Sequence, residues 1–371
     1  MKTAPIAVEI LAEIAAQFVV RGRFRSGVPY GTGHINDTFA IDCEDQDGRA
    51  RYILQRINRY VFHDVDGLME NISRVTNHLA RRATGPSPSR RTLTLVPTRS
   101  GAPYHRDKAG DCWRCYLFVE GARTYDVIER PDQAREAARA FGEFQKALID
   151  LPGGRLRETI PHFHDTRWRF AALCRAIAAD EYGRVGAART EIALALERES
   201  MADVLLDLQQ DGELPERVTH NDTKLNNVML DDLTGEGVCV IDLDTVMPGL
   251  VLYDFGDMVR TATNSVAEDA TDLSRVESRL DIFAALADGY LSAAEGFLTE
   301  PECRHLVFAG RVMTFEVGIR FLTDFLNGDV YFKTRRASHN LERARNQFAL
   351  LRSMEARAAD MEACVERCLA R

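Results

Sequence analysis

Short alternating segments open the chain and long periodic ones close it. The stretch 1–20 is apolar but interrupted by Glu9 and Glu13, which predicts an amphipathic helix and not a secretion signal. Segments 23–30, 37–43 and 51–57 are alternating or β-branched. They are separated by Gly31-Thr32-Gly33 and by the polar run from Glu44 to Gly48, so they predict strands joined by turns. Apolar Leu68, Ile72, Val75 and Leu79 recur at helical spacing and predict a helix over 67–82. A Pro/Ser-rich linker covers 84–89, and strands are expected again at 92–97 and 113–119.

The pattern changes after Glu120-Gly121. Segments 133–149, 167–180, 186–208, 270–294, 302–326 and 341–369 all carry helical periodicity. The last has Leu341, Phe348, Leu351, Met354, Met361, Val365 and Leu369 on one stripe, expected to pack on its own lobe. The class is therefore α+β. An antiparallel-sheet lobe over 1–119 precedes a mainly helical lobe over 120–371, with the cleft between them as the expected site.

Composition narrows the function classes. The 371 residues are 45% hydrophobic and 28% charged, a globular balance. The net charge of −9 argues against nucleic acid or an anionic membrane as partner. No apolar run reaches the ~18 residues of a membrane span. Eight cysteines are ordinary for a reduced, cytoplasmic chain, which is expected to be a monomer or a weak dimer. Cys112-x-x-Cys115 lacks a second pair at zinc-ribbon spacing, and no Gly-x-Ser-x-Gly elbow is present.

The chemistry concentrates in 218–260. Phosphoryl transfer needs a carboxylate to take a hydroxyl proton and oxygen ligands for Mg²⁺. Asp222 fits the first need, and Asn227, five residues on, part of the second. A symmetric hairpin centred between Thr234 and Gly235 would set Asn227 opposite Asp242, with Cβ atoms about 4.5–5.5 Å apart. Asp244 would share that face if the strand continued, as a second metal ligand or a hydroxyl acceptor. Asp254-Phe255-Gly256 spells a kinase metal triplet but lies beyond Pro248-Gly249, so Asp254 and Asp257 are expected to fix the loop by accepting backbone hydrogen bonds.

His220-x-Asp222-x-x-x-x-Asn227 followed by Ile241-Asp242-x-Asp244 resembles the aminoglycoside phosphotransferase and choline kinase superfamily. The blocks from Gly31 to Phe39, Tyr52 to Asn58, His220 to Gly249 and Phe321 to Asp329, with Tyr331-Phe332, are similar to the sugar kinases that phosphorylate the anomeric hydroxyl of an N-acetylhexosamine. The resemblance implies a protein-kinase-like two-lobe fold that uses ATP and Mg²⁺. By it, Asp222 is the base, and Asn227 and Asp242 hold the metal with Asp244 beside them. Gly31, Thr32 and Gly33 cover the nucleotide phosphates, and their glycines permit close backbone approach. Arg56 is the phosphate cation where many relatives carry Lys, Glu70 its partner, and Val119 and Glu120 the adenine-facing hinge. His34, Arg320 and Tyr331, with Asp222 and Asp244, face the sugar, a set that supplies both donors and acceptors for hydroxyls. The rivals are a kinase of another small-molecule hydroxyl, a two-metal nuclease or phosphatase, and a non-catalytic sugar- or nucleotide-binding module.

Overall fold

The computed structural model describes residues 6–31, 33, 35–83 and 88–371. By contacts the chain forms two compact units. One comprises 1–122 with 150–160 and 238–246; the other comprises 123–149, 161–237 and 247–371.

The first unit is built on a six-stranded antiparallel sheet. Helix α1 (Val8–Ala15) precedes β1 (Arg23–Pro29), β2 (Asp37–Asp45) and β3 (Gly48–Ile57). Helix α2 (Val65–Arg82) follows, then β4 (Leu95–Val96), β5 (His105–Arg106) and β6 (Cys112–Leu117). The order is β1-β2-β3-β6-β4, and β5 adds to β6. Alternation decides which face is buried: Phe39, Ile41 and Cys43 of β2 and Tyr52 and Leu54 of β3 point inward, where Leu11, Ile14 and Phe18 cover them. Burying a side chain of this size contributes roughly 1.5–3 kcal/mol. The α1 packing thus converts an otherwise one-sided sheet into a core.

Asn71 of α2 explains why two later segments join this unit. Its Nδ2 donates to the Arg157 carbonyl at 2.8 Å and the Val246 carbonyl at 3.1 Å, while its Oδ1 accepts from Arg157 N at 3.0 Å.

The second unit is helical. The chain enters it through β7 (Ala122–Arg123) and continues through α3 (Pro131–Ala147), α4 (Thr166–Ala179), α5 (Arg189–Leu196) and α6 (Val204–Gln210). Short strands β8 (Arg217–Thr219), β9 (Val228–Asp231), β10 (Gly237–Val240) and β11 (Met247–Gly249) carry the motif region, β10 leading out of this unit. Helices α7 (Val251–Thr263), α8 (Leu280–Ala294), α9 (Glu300–Arg304), α10 (Leu306–Leu326), α11 (His339–Ala356) and α12 (Ala358–Leu369) complete it. Helix α3 packs on α8, and α10 packs on α7 and α11. Among the described residues no helix is long and apolar enough to cross a membrane.

Several expected boundaries shift. The long helix over 341–369 breaks at Arg357 into α11 and α12, and 186–208 divides into α5, α6 and short 3₁₀ turns. Helix α7 is not among the elements the sequence pattern predicts. Its period places Phe255 in the core, fully buried. Gly256 lies so close to α10 that a Cβ would come within 2.3 Å of the Ala309 carbonyl oxygen. Only glycine permits that helix–helix approach.

Candidate active site

The central element is the loop from Thr219 to Asn227, entered from β8, which pairs antiparallel with β11 through Thr219 and Met247. Asn221 adopts a left-handed conformation with φ of 65°, and such backbone persists only when neighbours over-determine it. They do so here. Asp254 Oδ1 accepts from Asn221 N at 2.6 Å and Oδ2 from His220 N at 2.9 Å. Asp257 accepts from Thr223 N at 3.0 Å, and His164 Nε2 donates to the Asn221 carbonyl at 3.0 Å. One turn of α7 therefore sets two carboxylates, three residues apart, against the amides of His220, Asn221 and Thr223. Burial raises the pKa of Asp254 despite these bonds.

Asp222 sits at the turn of this loop. Its Oδ1 lies 2.7 Å from Lys224 Nζ. Asn227 Nδ2 donates to its carbonyl at 2.8 Å and to Oδ2 at 3.1 Å. Burial works against the charged form, but the Lys224 ammonium, His220 and Arg260 together outweigh it. The carboxyl is held below the usual aspartate range. Such a group is ionised at neutral pH, oriented by two donors, and able to accept a hydroxyl's proton. Asn227 spends its amide nitrogen on Asp222, so Oδ1 is the atom it offers a hard cation. All-oxygen ligation of that kind suits Mg²⁺.

The expected geometry after β9 needs correction. Asp231 N donates to the Glu236 carbonyl at 2.9 Å, and Gly235 takes φ of 74°, so the turn centres one residue earlier than a symmetric hairpin around Thr234-Gly235. The strand then stops at Val240. Asp242 is left-handed at φ 58° and Leu243–Thr245 form a 3₁₀ turn, so Asp242 and Asp244 do not share a strand face.

In the first unit, Asp244 is buried against Arg114, whose side chain is only 1% exposed. It also accepts from Asn36 Nδ2 at 2.5 Å. Burial alone would weaken the Arg114 charge, but the groups around it, Asp244 foremost, together more than offset that. Arg56 does not meet Glu70. It donates to Asp37 Oδ2 from Nη2 at 2.6 Å and to Asp111 Oδ2 from Nη1 at 3.1 Å. Glu70 instead pairs with Arg157 at 2.7 Å. The reason is register: β2 and β3 set Asp37 directly opposite Arg56.

Val119 is buried, the Glu120 carboxylate pairs with Arg51 Nε at 2.8 Å, and the Glu120 carbonyl accepts from Arg90 Nε at 2.9 Å. Gly31 has φ of 79° and open space where a Cβ would be, while Tyr30 N closes the β1–β2 connection on the Thr38 carbonyl at 2.9 Å. Thr32 and His34 lie outside the described residues.

Arg320 and Tyr331 are brought to one neighbourhood of the second unit. Asp324 accepts from the Tyr331 amide at 2.8 Å and the Phe332 amide at 2.9 Å, folding the segment after α10 back onto it. The Phe332 ring then lies against both the Tyr331 ring, at 4.7 Å, and the Arg320 guanidinium, at 5.8 Å.

Two residues of this arrangement are not singled out by the sequence. Lys224 carries a signal, a cation within the Asp222–Asn227 motif itself. Arg114 has no local signature, because a buried arginine is recognised by its partners.

A family model described as the phosphotransferase enzyme family matches residues 26–299. The fold is similar to a microcompartment-associated aminopropanol kinase, at 16% identity, 95% of this chain, 98% of that one and a TM-score of 0.59. It is also similar to an aminoglycoside phosphotransferase from Alicyclobacillus acidocaldarius, at 14% identity, 99% and 98% coverage and a TM-score of 0.60. Spectinomycin phosphotransferase, solved with ADP and spectinomycin, matches at 12% identity, 95% and 99% coverage and a TM-score of 0.55.

Proposed function

Because the chain belongs to the phosphotransferase enzyme family, we propose that it transfers the γ-phosphoryl group of ATP to the anomeric hydroxyl of an N-acetylhexosamine. The observation that carries the chemistry is Asp222, kept ionised by Lys224 and aimed by Asn227 within a loop pinned by Asp254, Asp257 and His164. Asp222 orients the acceptor hydroxyl and takes its proton as the oxygen attacks phosphorus. A low pKa suits this role, because in a loose transition state the proton leaves late.

We assign Asn227 and Asp242 as magnesium ligands from their places in the motif. Bound there, Mg²⁺ supplies charge neutralisation on the phosphates. The ADP bound to spectinomycin phosphotransferase supports a nucleotide donor. Arg56, already between two carboxylates, reaches phosphate only by exchanging one of them. Support for the sugar comes from the four sequence blocks and from the mixed donors and acceptors around Arg320 and Tyr331. We place the enzyme in the reducing cytoplasm, on its eight free cysteines.

The test is ADP release with Mg-ATP and a sugar panel, for wild type and Asp222→Asn, with phosphorus NMR of the product. A 1-phosphate of N-acetylglucosamine or N-acetylgalactosamine, lost in the variant, is expected. Turnover only on amines or non-sugar alcohols would discard the sugar and keep the chemistry.

A further inference from the structure

In the second unit the Nε atoms of Arg169, Arg311 and Arg320 are buried without a partner among the described residues, and two of these arginines, Arg169 and Arg320, meet at one place. Arg320 has a side chain only 11% exposed, and its one ion pair among the described residues, with Glu316, is 3.8 Å long, beyond hydrogen-bond reach. Its Nε has no partner among the described residues. Arg169 shares the condition: it donates from Nη2 to the Phe163 carbonyl at 3.2 Å, and its Nε is likewise buried and unpartnered.

The two flank one residue, since Arg320 lies 5.3 Å over the ring of the same Phe163. Burial, with the like charge of Arg320 next, lowers the pKa of Arg169 to about 10. It therefore remains a cation at neutral pH, at a cost.

The nearby carboxylates are committed elsewhere. Glu316 gives Oε1 to His164 Nδ1 at 2.8 Å and Oε2 to Thr166 Oγ1 at 2.6 Å. Both ring nitrogens of His164 face oxygen atoms, Glu316 Oε1 and the Asn221 carbonyl, so Glu316 Oε1 is taken up by that ring. Asp165 is spent on the first turn of α4, where Oδ1 accepts from Trp168 N at 2.9 Å and Oδ2 faces His162 Nδ1 at 2.9 Å. Aromatic faces soften the charge of the two arginines but accept no N–H in the way an oxygen does. What remains is positive charge with unused planar donors, the chemistry that binds an oxyanion. The same His164 donates to the Asn221 carbonyl, one residue from Asp222, so the pair lies close to the loop that receives the acceptor.

We propose that Arg169 and Arg320 form an oxyanion subsite, so that among N-acetylhexosamine-type acceptors this enzyme prefers one that carries an anionic substituent (a carboxylate, sulfate ester or phosphate ester) away from the reacting hydroxyl. The inference rests on the acceptor being a hexose derivative held in this unit.

Kinetics and binding test it separately. With Mg-ATP, kcat/KM is measured for N-acetylglucosamine and N-acetylgalactosamine, for their 6-phosphates and 6-sulfates, and for the corresponding uronic acids. At least one acid is expected to exceed its neutral parent by about tenfold. That ratio should fall towards one in Arg169→Met and lie between in Arg169→Lys, which keeps charge without the planar fork. The three acid classes tell the sources of the oxyanion apart.

Binding is read without turnover from Trp168, which lies 5.0 Å beneath the Arg169 guanidinium. Titration with the acids should change its fluorescence in wild type and not in Arg169→Met. Neutral sugars phosphorylated as well as every acid, or an acid preference that survives Arg169→Met, overturns the subsite and leaves the sugar kinase standing. Arg169-dependent binding of acids with no sugar phosphorylated keeps the subsite and discards the sugar kinase.

Discussion

Replacing Asp254 by Asn separates a structural role from a metal-binding one. Asp254 Oδ2 accepts from His220 N and from Gln145 Nε2 at 2.6 Å, and Oδ1 accepts from Asn221 N. An asparagine keeps the shape but has one oxygen. If that oxygen stays with His220 and Gln145, the new amide nitrogen faces the Asn221 N–H, donor against donor. The loss is one charge-assisted bond, worth about 1.5–3 kcal/mol, together with weakening of the two that remain. Relief of a buried charge, whose pKa burial already raises, offsets part of this. The expected net is about 2–3 kcal/mol of stability. The loop should also lose its left-handed Asn221, lowering kcat without a selective change in magnesium requirement. The assay is urea unfolding beside kcat measured across a magnesium titration. Unchanged stability with a steeply raised magnesium requirement would refute the loop-fixing role and return Asp254 to the metal.

Two further outcomes follow from the same geometry. Lys224→Met removes the main charge lowering the pKa of Asp222; Lys224 is 45% exposed, so the pair is screened to about 1 kcal/mol. Activity needs ionised Asp222 and is lost as pH falls through its pKa, so the acidic limb of kcat/KM should move upward by roughly 0.5–1 pH unit. An unmoved or lowered limb would remove Lys224 from that role. Asp244→Asn leaves the Arg114 charge buried with neutral partners and should cost about 3–5 kcal/mol in urea unfolding, with much of it recovered in the double variant Arg114→Met/Asp244→Leu. A double variant no more stable than the single one would show that the pair does not act as a unit.

What could be read from sequence divides along physical lines. Period-2 and period-3.6 patterns reflect burial of one face, and they locate the sheet unit and most of the helices from the sequence alone. Asp254 and Asp257 were legible as loop anchors because a carboxylate placed after a turn, and out of reach of the metal motif, has backbone amides as its natural partners. Their helix was not legible, since Gly256 is a poor helix former that α10 nevertheless requires. The failure at Asp242 and Asp244 has a different cause. Hairpin register depends on where the turn closes, and a single residue of shift redirects every later side chain. Left-handed Asp242 then ends the strand altogether, so no extrapolation along it could have placed Asp244 against Arg114. The arginines form the third case. Arg56, Arg114, Arg169 and Arg320 are alike in composition, and only the carboxylates around each decide its role. Arg56 has two and Arg114 one, so both are structurally satisfied. Arg169 and Arg320 are buried without one at hydrogen-bond distance among the described residues, and that difference, invisible in the sequence, directs attention to the acceptor.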